Sequence, residues 1–255
     1  MPKTIIESFP KESWELNSET QNSILKVAEC FSQTIQGEGI WTGVPSTFLR
    51  LQGCTLRCQW CDSLEVWRNG NPYTVEELID LFEIHEVFED FKNGHHLVLT
   101  GGSPLKQQES LVDFIYAIED FCGIKPFIEV ENECVLEPLP ALCFEVDWWN
   151  CSPKLENSGM RKSVRYKPDV IREMNNMKNA SFKFVISNED DWNEVIEDFI
   201  DPFNINKDKI FLMPEGQTRE ELQPRYDWLV DLACREGVRI SDRLHVTMWN
   251  KKTGV

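Results

Sequence analysis

The sequence predicts an α/β fold, a partial (β/α)6-type barrel with parallel strands, on three observations. Short apolar runs rich in valine, isoleucine and phenylalanine alternate with helix-patterned segments along most of the chain, the pattern of parallel βα units in one sheet. About six such units can be counted, short of the eight of a closed barrel, so a partial barrel or an open sheet is expected. No Pro/Gly/Ser-rich linker, repeat or low-complexity tract interrupts the 255 residues, a length suited to one α/β domain.

Residues 1–25 are polar and weakly patterned and read as an N-terminal extension, which leaves 26–255 as the domain. Gln33-Thr34-Ile35-Gln36-Gly37-Glu38-Gly39 reads as a polar loop whose glycines let the backbone approach a neighbour closely. Residues 47–51 form a short strand that leads directly into Gly53-Cys54-Thr55-Leu56-Arg57-Cys58-Gln59-Trp60-Cys61-Asp62-Ser63. Residues 73–91 read as a helix, because Thr74 and Glu77 match a capping box and Val75, Leu78, Ile79 and Phe82 share one face. The run 97–100 is a buried-type strand that ends in Gly101-Gly102-Ser103-Pro104. A helix over 107–121 follows, then strands over 127–130 and 144–148, the second ending near Ser152-Pro153-Lys154. Helix 170–177, strand 182–186, helix 192–199 and strand 210–213 continue the alternation. The last helix opens on Thr218 and Glu221 and turns Leu222, Tyr226, Leu229 and Ala233 inward; residues 244–249 close the series as a strand. Functional groups of parallel α/β folds collect at the C-terminal ends of strands. The cysteine loop, the glycine pair, Glu131-Asn132-Glu133 and Ser152-Pro153-Lys154 are therefore expected to share one mouth.

Composition narrows the class. With 43 acidic and 26 basic residues the formal charge is −17. Such a chain repels polyanions, which argues against direct nucleic-acid binding; the acid excess reads as solvated surface. The N-terminus lacks the apolar core of a signal peptide and no apolar run reaches membrane-spanning length, so no membrane association is expected. Cys30, Cys122, Cys134, Cys143, Cys151 and Cys234 are scattered singly and read as reduced core thiols. A cytoplasmic protein in a reducing compartment is the expectation.

The remaining three cysteines, Cys54, Cys58 and Cys61, are spaced Cys-x3-Cys-x2-Cys within eight residues. A closed structural zinc site takes four ligands, whereas three thiolates leave a position open. Iron–sulfur clusters are also held by cysteine thiolates, and a cluster with one reactive iron is the reading this loop favours.

These residues resemble the radical S-adenosylmethionine (SAM) superfamily, which holds a [4Fe–4S] cluster with the same spacing. More narrowly, Ile35-Gln36-Gly37-Glu38-Gly39, Phe48-Leu49-Arg50-Leu51-Gln52-Gly53-Cys54, Trp60-Cys61-Asp62-Ser63, Ser152-Pro153-Lys154 and Leu244-His245-Val246-Thr247-Met248-Trp249 are similar, in that order, to 7-carboxy-7-deazaguanine synthase. The resemblance covers the chain from about Val27 onward. It implies a radical SAM core and a lyase that turns 6-carboxy-5,6,7,8-tetrahydropterin into 7-carboxy-7-deazaguanine with loss of ammonia, toward 7-deazaguanine bases such as queuosine precursors. In that family the open iron chelates SAM, and reductive cleavage yields a 5′-deoxyadenosyl radical that abstracts substrate hydrogen. It further implies Mg²⁺, a homodimer and an external one-electron reductant such as a flavodoxin.

Carried over position by position, Cys54, Cys58 and Cys61 are the implied cluster ligands. Trp60, Cys61, Asp62, Gly102, Ser152, Pro153 and Lys154 would hold SAM, and Ser63 would coordinate Mg²⁺ through its hydroxyl. Gln36, Gly37 and Glu38 would read the pterin edge, Arg50 would clamp the substrate carboxylate with its planar fork, and Thr100, Glu131 and His245 would complete that pocket.

Two departures stand out. The superfamily commonly has Gly-Gly-Glu-Pro, with a carboxylate for the SAM ammonium, where this chain has Gly101-Gly102-Ser103-Pro104. Glu131-Asn132-Glu133-Cys134 replaces the family's Glu-Thr-Asn-Gly, so Glu129 is an alternative to Glu131 at the substrate. Taken without the resemblance, Ser63 reads as a helix-cap hydroxyl and His245 as a satisfied core histidine in a strand; for Lys154, a partner carboxylate on an anionic cofactor is favoured over a plain surface charge. His85, His95 and His96 read as helix-surface and loop residues. A glycyl-radical activase, which shares the three-cysteine loop, and a non-catalytic zinc or redox interaction module are the other readings weighed.

Overall fold

The computed structural model describes residues 2–8, 23–252 and 254. Among them ten strands form one sheet: β1 (Lys3–Ile6), β2 (Ile24–Ile35), β3 (Pro45–Leu51), β4 (Asn71–Thr74), β5 (His96–Gly101), β6 (Ile128–Asn132), β7 (Trp148–Cys151), β8 (Ala180–Ile186), β9 (Ile210–Pro214) and β10 (Arg239–Ile240). Their order is β1-β2-β3-β5-β6-β7-β8-β9-β10, and β4 also pairs with β2. Every pairing from β3 through to β10 is parallel. β1, β3 and β4 run antiparallel to β2. The parallel strands β3 and β5 to β9 make the predicted α/β partial barrel. The path is not closed.

Helices cover the parallel strands and bury apolar stripes against them. Phe82, on the helix Val75–Ile84, is fully buried; its ring lies 5.5 Å from Phe114 and 6.1 Å from both Phe88 and Phe91. That helix starts with the predicted capping box: Glu77 N–H donates to Thr74 Oγ1 at 3.2 Å, and Thr74 N–H donates to Glu77 Oε2 at 2.8 Å. β8 and β9 are buried along their whole lengths, as strands covered on both faces must be. Cys30, Cys134 and Cys151 lie in the core, Cys122 and Cys143 are half-buried, and Cys234, expected inside, is exposed.

Several sequence expectations are corrected. Residues 3–6, expected in an extension, pair with β2 as an antiparallel edge strand; positions 9–22 lie outside the described residues. The polar segment 33–39 begins inside β2, where Gln33 takes a left-handed φ of 55° at a register shift, so the loop proper starts after Ile35. The helix expected over 73–91 is two helices, Val75–Ile84 and Val87–Lys92, parted at Glu86 with φ 61°, and Tyr73 belongs to β4. The strand expected over 144–148 starts late: Pro140 opens a short helix, Pro140–Glu145, that carries Phe144 into solvent, and the strand is Trp148–Cys151. Residues 244–249 are a helix, not a strand. The helix expected over 192–199 is α-helical over Asp190–Val195 and π-helical over Ile196–Ile200. Pro202 has no N–H to offer the Asp198 carbonyl, which accepts the Tyr166 hydroxyl instead at 2.8 Å. His96, expected in a loop, is buried in β5.

Thr74→Ala removes one half of a capping box and should lower the unfolding free energy by about 1 kcal/mol. Denaturant titration of wild type and variant measures it; an unchanged midpoint would show that tertiary packing alone fixes the start of this helix.

Candidate active site

The parallel register decides which residues meet. Arg50 pairs with Thr100 and Leu51 with Gly101, so the cysteine loop after β3 and the glycine pair after β5 leave the sheet side by side. A Cβ on Gly102 would overlap Gly53 O and Cys54 Cβ, and one on Gly101 would overlap the Leu51 backbone. Ser103 N–H donates to Gly53 O at 2.8 Å. Backbone therefore packs on backbone here, and Leu56, 1 % exposed, anchors the loop from below. The strand ends enclose a cavity of about 250 Å³. Of the residues singled out from the sequence, Gln36, Gly37, Glu38, Arg50, Cys54, Cys58, Trp60, Cys61, Asp62, Ser63, Thr100, Gly102, Glu131, Ser152, Lys154 and His245 all line it; Pro153 is buried behind the wall.

Burial pushes the Cys54 thiol up to about 11, against the Leu56 N–H that donates to its sulfur at 3.3 Å and the nearby Lys154. Burial likewise raises Cys58. Trp67 Nε1–H donates to Cys61 Sγ at 3.5 Å. Coordination to a metal would deprotonate such thiols outright. Among the described residues no three His, Cys, Asp or Glu side chains are grouped around a single-ion position. A [4Fe–4S] cluster takes its thiolates on separate irons. Three half-buried thiols on one cavity wall, with backbone and indole N–H groups aimed at the sulfurs, fit that group.

A second wall is a chain of buried charge. Lys183, 3 % exposed within β8, pairs with Glu38 Oε2 and with Glu131 Oε2 at 3.1 Å. Arg243 Nε donates to the other Glu38 oxygen at 3.1 Å, and Arg243 Nη2 pairs with Asp62. Burial alone would raise the Glu38 carboxyl, but Lys183 and Arg243 outweigh it and hold it well below the usual range. For Glu131 burial wins over Lys183 and raises the carboxyl. His245 Nε2 lies 3.9 Å from Glu38 Oε1, and burial lowers its pKa, so the ring is neutral at pH 7. Gly37 is required beside it, because a Cβ there would run into the imidazole.

Glu129 and Glu131 point to the same face of β6 but lie at different depths. Glu129 is fully buried and accepts hydrogen bonds from Gln36 Nε2 at 3.0 Å and Asn150 Nδ2 at 2.8 Å, with His96 Nδ1 at 2.7 Å. It does not line the cavity, whereas Glu131 does. Glu129 orients Gln36 from beneath, and Glu131 is the carboxylate at the cavity surface. Arg50 donates Nε to Glu29 at 2.7 Å, which fixes its guanidinium plane; burial opposes the charge and Glu29 more than offsets it.

Near the cysteines, Lys154 Nζ donates to Ser152 O at 2.6 Å and Oγ at 2.8 Å and stands 5.9 Å from the Trp60 ring centre. Trp60 Nε1 donates to Asn157 Oδ1 at 3.2 Å. Ser63 stands at the N-cap of a one-turn helix, Leu64–Trp67, but its side chain makes no cap bond; the hydroxyl lies 3.8 Å from Cys61 Sγ. Lys183 and Arg243 line the cavity, and Glu29 stands behind Arg50, without any motif having singled them out, whereas Glu133 lines it as expected of Glu131-Asn132-Glu133. A lysine inside an otherwise apolar run, Phe182-Lys183-Phe184, was the available signal for the first.

The fold and the cysteine-lined cavity define the class: a radical SAM enzyme built on a [4Fe–4S] cluster, and the family described as 4Fe-4S single cluster domain matches residues 35–131. The crystal structure of QueE from Escherichia coli shares the fold, with a TM-score of 0.62 at 21% identity over 87% of this chain and 95% of that one. The 7-carboxy-7-deazaguanine synthase of Pyrobaculum aerophilum is 34% identical over 234 residues, 90% of this chain and 97% of the relative. That of Hyperthermus butylicus is 30% identical over 88% of this chain and 93% of its own. The chain belongs to the 7-carboxy-7-deazaguanine synthase family and is an enzyme, a lyase. Membership sets aside the glycyl-radical activase and the zinc module.

Gly102→Ala should displace the cysteine loop, because the added methyl meets backbone that cannot swing away. Iron and sulfide content after anaerobic reconstitution should fall severalfold while circular dichroism stays unchanged. Full cluster content would show that the glycine contact does not set the loop position.

Proposed function

We propose that this chain converts 6-carboxy-5,6,7,8-tetrahydropterin to 7-carboxy-7-deazaguanine with loss of ammonia, as a step toward 7-deazapurine bases. The observation that carries the reading is a single cavity in which the three-cysteine loop adjoins a set of polar groups suited to a carboxylated pterin: Gln36, Glu38, Glu131 and Arg50. Glu38 is held as an anion and accepts pterin N–H groups. Gln36, oriented by Glu129, presents an amide that donates and accepts. Arg50, its Nε spent on Glu29, offers its terminal nitrogens to the substrate carboxylate. Thr100 and Gly37 shape the floor, and neutral His245 closes the edge.

When bound, the cluster and SAM supply the one-electron chemistry that removes a substrate hydrogen. On the chain's side, Trp60, Asp62, Gly102, Ser152 and Lys154 hold SAM against the cysteine loop, with Pro153 stiffening the backbone between the last two. The uncapped Ser63 hydroxyl takes Mg²⁺, a hard cation that prefers oxygen. The reading includes a homodimer, a flavodoxin-like external reductant, a radical SAM domain over 26–255 with β1 added at its edge, and a cytoplasmic setting. No helix among the described residues is long and apolar enough to cross a membrane.

Anaerobically reconstituted, reduced protein given SAM and the carboxy-tetrahydropterin should yield 7-carboxy-7-deazaguanine by mass spectrometry. SAM cleavage without that product would overturn the substrate assignment. Arg50→Ala should raise the apparent KM for substrate about 10- to 100-fold with cluster content retained, whereas Cys58→Ala should lose cluster and turnover together. An unchanged KM removes Arg50 from the pocket.

A further inference from the structure

We propose that Glu133 is the carboxylate that accepts a hydrogen bond from the α-amino group of SAM in this chain, in place of the side chain at position 103. The inference rests on the reading that SAM occupies the cavity. Glu133 follows β6, is 6 % exposed and lines the cavity. One carboxylate oxygen, Oε1, accepts the Thr55 hydroxyl at 2.7 Å and the Ser103 hydroxyl at 2.5 Å. The other, Oε2, is buried and has no hydrogen-bond partner among the described residues. An unpaired oxygen of a buried carboxylate is costly, and such a group in a ligand cavity awaits a donor that the protein itself does not supply.

The neighbouring cation does not supply it. Lys154 gives its ammonium to Ser152 O and Oγ, and no ion pair joins it to Glu133. The two opposite charges stand on adjacent strand ends: Asn132 pairs with Cys151, and Ser152 N–H donates to Asn132 O at 2.6 Å. An amino acid head group presents an amino donor and a carboxylate side by side, which matches the acceptor Glu133 beside the donor Lys154. Thr55 belongs to the cysteine loop, so Glu133 ties the position of the amino group to that of the loop.

Ser103 is the reciprocal half of the arrangement. It is fully buried and touches Glu133, so a carboxylate at 103 would stand against the one already at 133, and like charges at that distance resist joint ionisation. Cys134 sits at φ 60°, with its N–H donating to Asn132 Oδ1 at 2.9 Å. This tight turn fixes the direction in which Glu133 projects.

Calorimetry on anaerobically reconstituted protein without reductant tests the assignment, with SAM and a SAM analogue lacking the α-amino group as ligands. Wild type should bind the analogue about 10- to 100-fold more weakly than SAM. Glu133→Gln should lose a similar factor for SAM and little for the analogue, with iron content as the folding control. Ser103→Glu added to Glu133→Gln should restore the preference for SAM. A wild type that binds both ligands equally overturns the proposal whatever the variants do, as does an equal loss of both ligands in Glu133→Gln. A reconstituted wild type that binds neither ligand overturns instead the reading of the cavity as a SAM site.

Discussion

Lys183 lies in the middle of a strand with no exposed residue, and the charges of the cavity are arranged around it. It pairs with Glu38 and Glu131 at once, and Glu38 passes the charge on to Arg243 and so to Asp62. Burying ions is expensive, and such a network repays the cost only when each member is satisfied. The outcome is preorganisation: carboxylate and amide groups stand fixed at the mouth before a ligand arrives. Arg243 also carries the chain's last helix, Leu244–Trp249, to the mouth. Leu244 N–H donates to Gly37 O at 2.9 Å, which sets His245 over the glycine.

The distribution of charge differs sharply between surface and cavity. The chain as a whole carries −17, yet Arg50, Lys154, Lys183 and Arg243 all line one cavity. Net charge governs long-range encounter, whereas recognition depends on groups within a few ångströms. Lys183 and Arg243 are committed to carboxylates of the chain, so they set the protonation of acceptors more than they attract anions. Arg50 and Lys154 are held by one bonded contact region each and keep donors to spare.

What the sequence made legible was local. The cysteine spacing, the glycine pair and the Thr74–Glu77 box each lie within a few residues, and each has its meaning fixed by bond lengths and backbone geometry. Alternation of elements gave the parallel sheet, because period and order survive without knowledge of partners. The failures share a cause. Residues 144–148 and 244–249 are rich in aromatic and β-branched residues, which favour strands, but Phe144 and Glu145 end a short helix opened by Pro140 and residues 244–249 form another where Leu244 seats on Gly37. Lys183 and Arg243 escaped notice because their partner Glu38 lies 145 and 205 residues away. His96, beside His95 in a Gly-containing segment, reads as a loop residue; its partner Glu129 is 33 residues on, in the next strand of the sheet.

Ser103 and Glu133, far apart along the chain, meet in the fold. Read along the chain, serine at 103 and glutamate at 133 are separate changes, one removing a carboxylate and one adding it. In the fold their side chains touch at the ends of β5 and β6, so the carboxylate at that corner of the cavity is supplied from the end of β6. Cys134 takes a left-handed φ, a conformation that glycine adopts far more readily. A non-glycine residue in that region costs free energy, and the hydrogen bond from Cys134 N–H to Asn132 Oδ1 offsets part of it. Asn132, Glu133 and Cys134 thus act together: one shapes the turn, one bends, and the third carries the charge to the cavity.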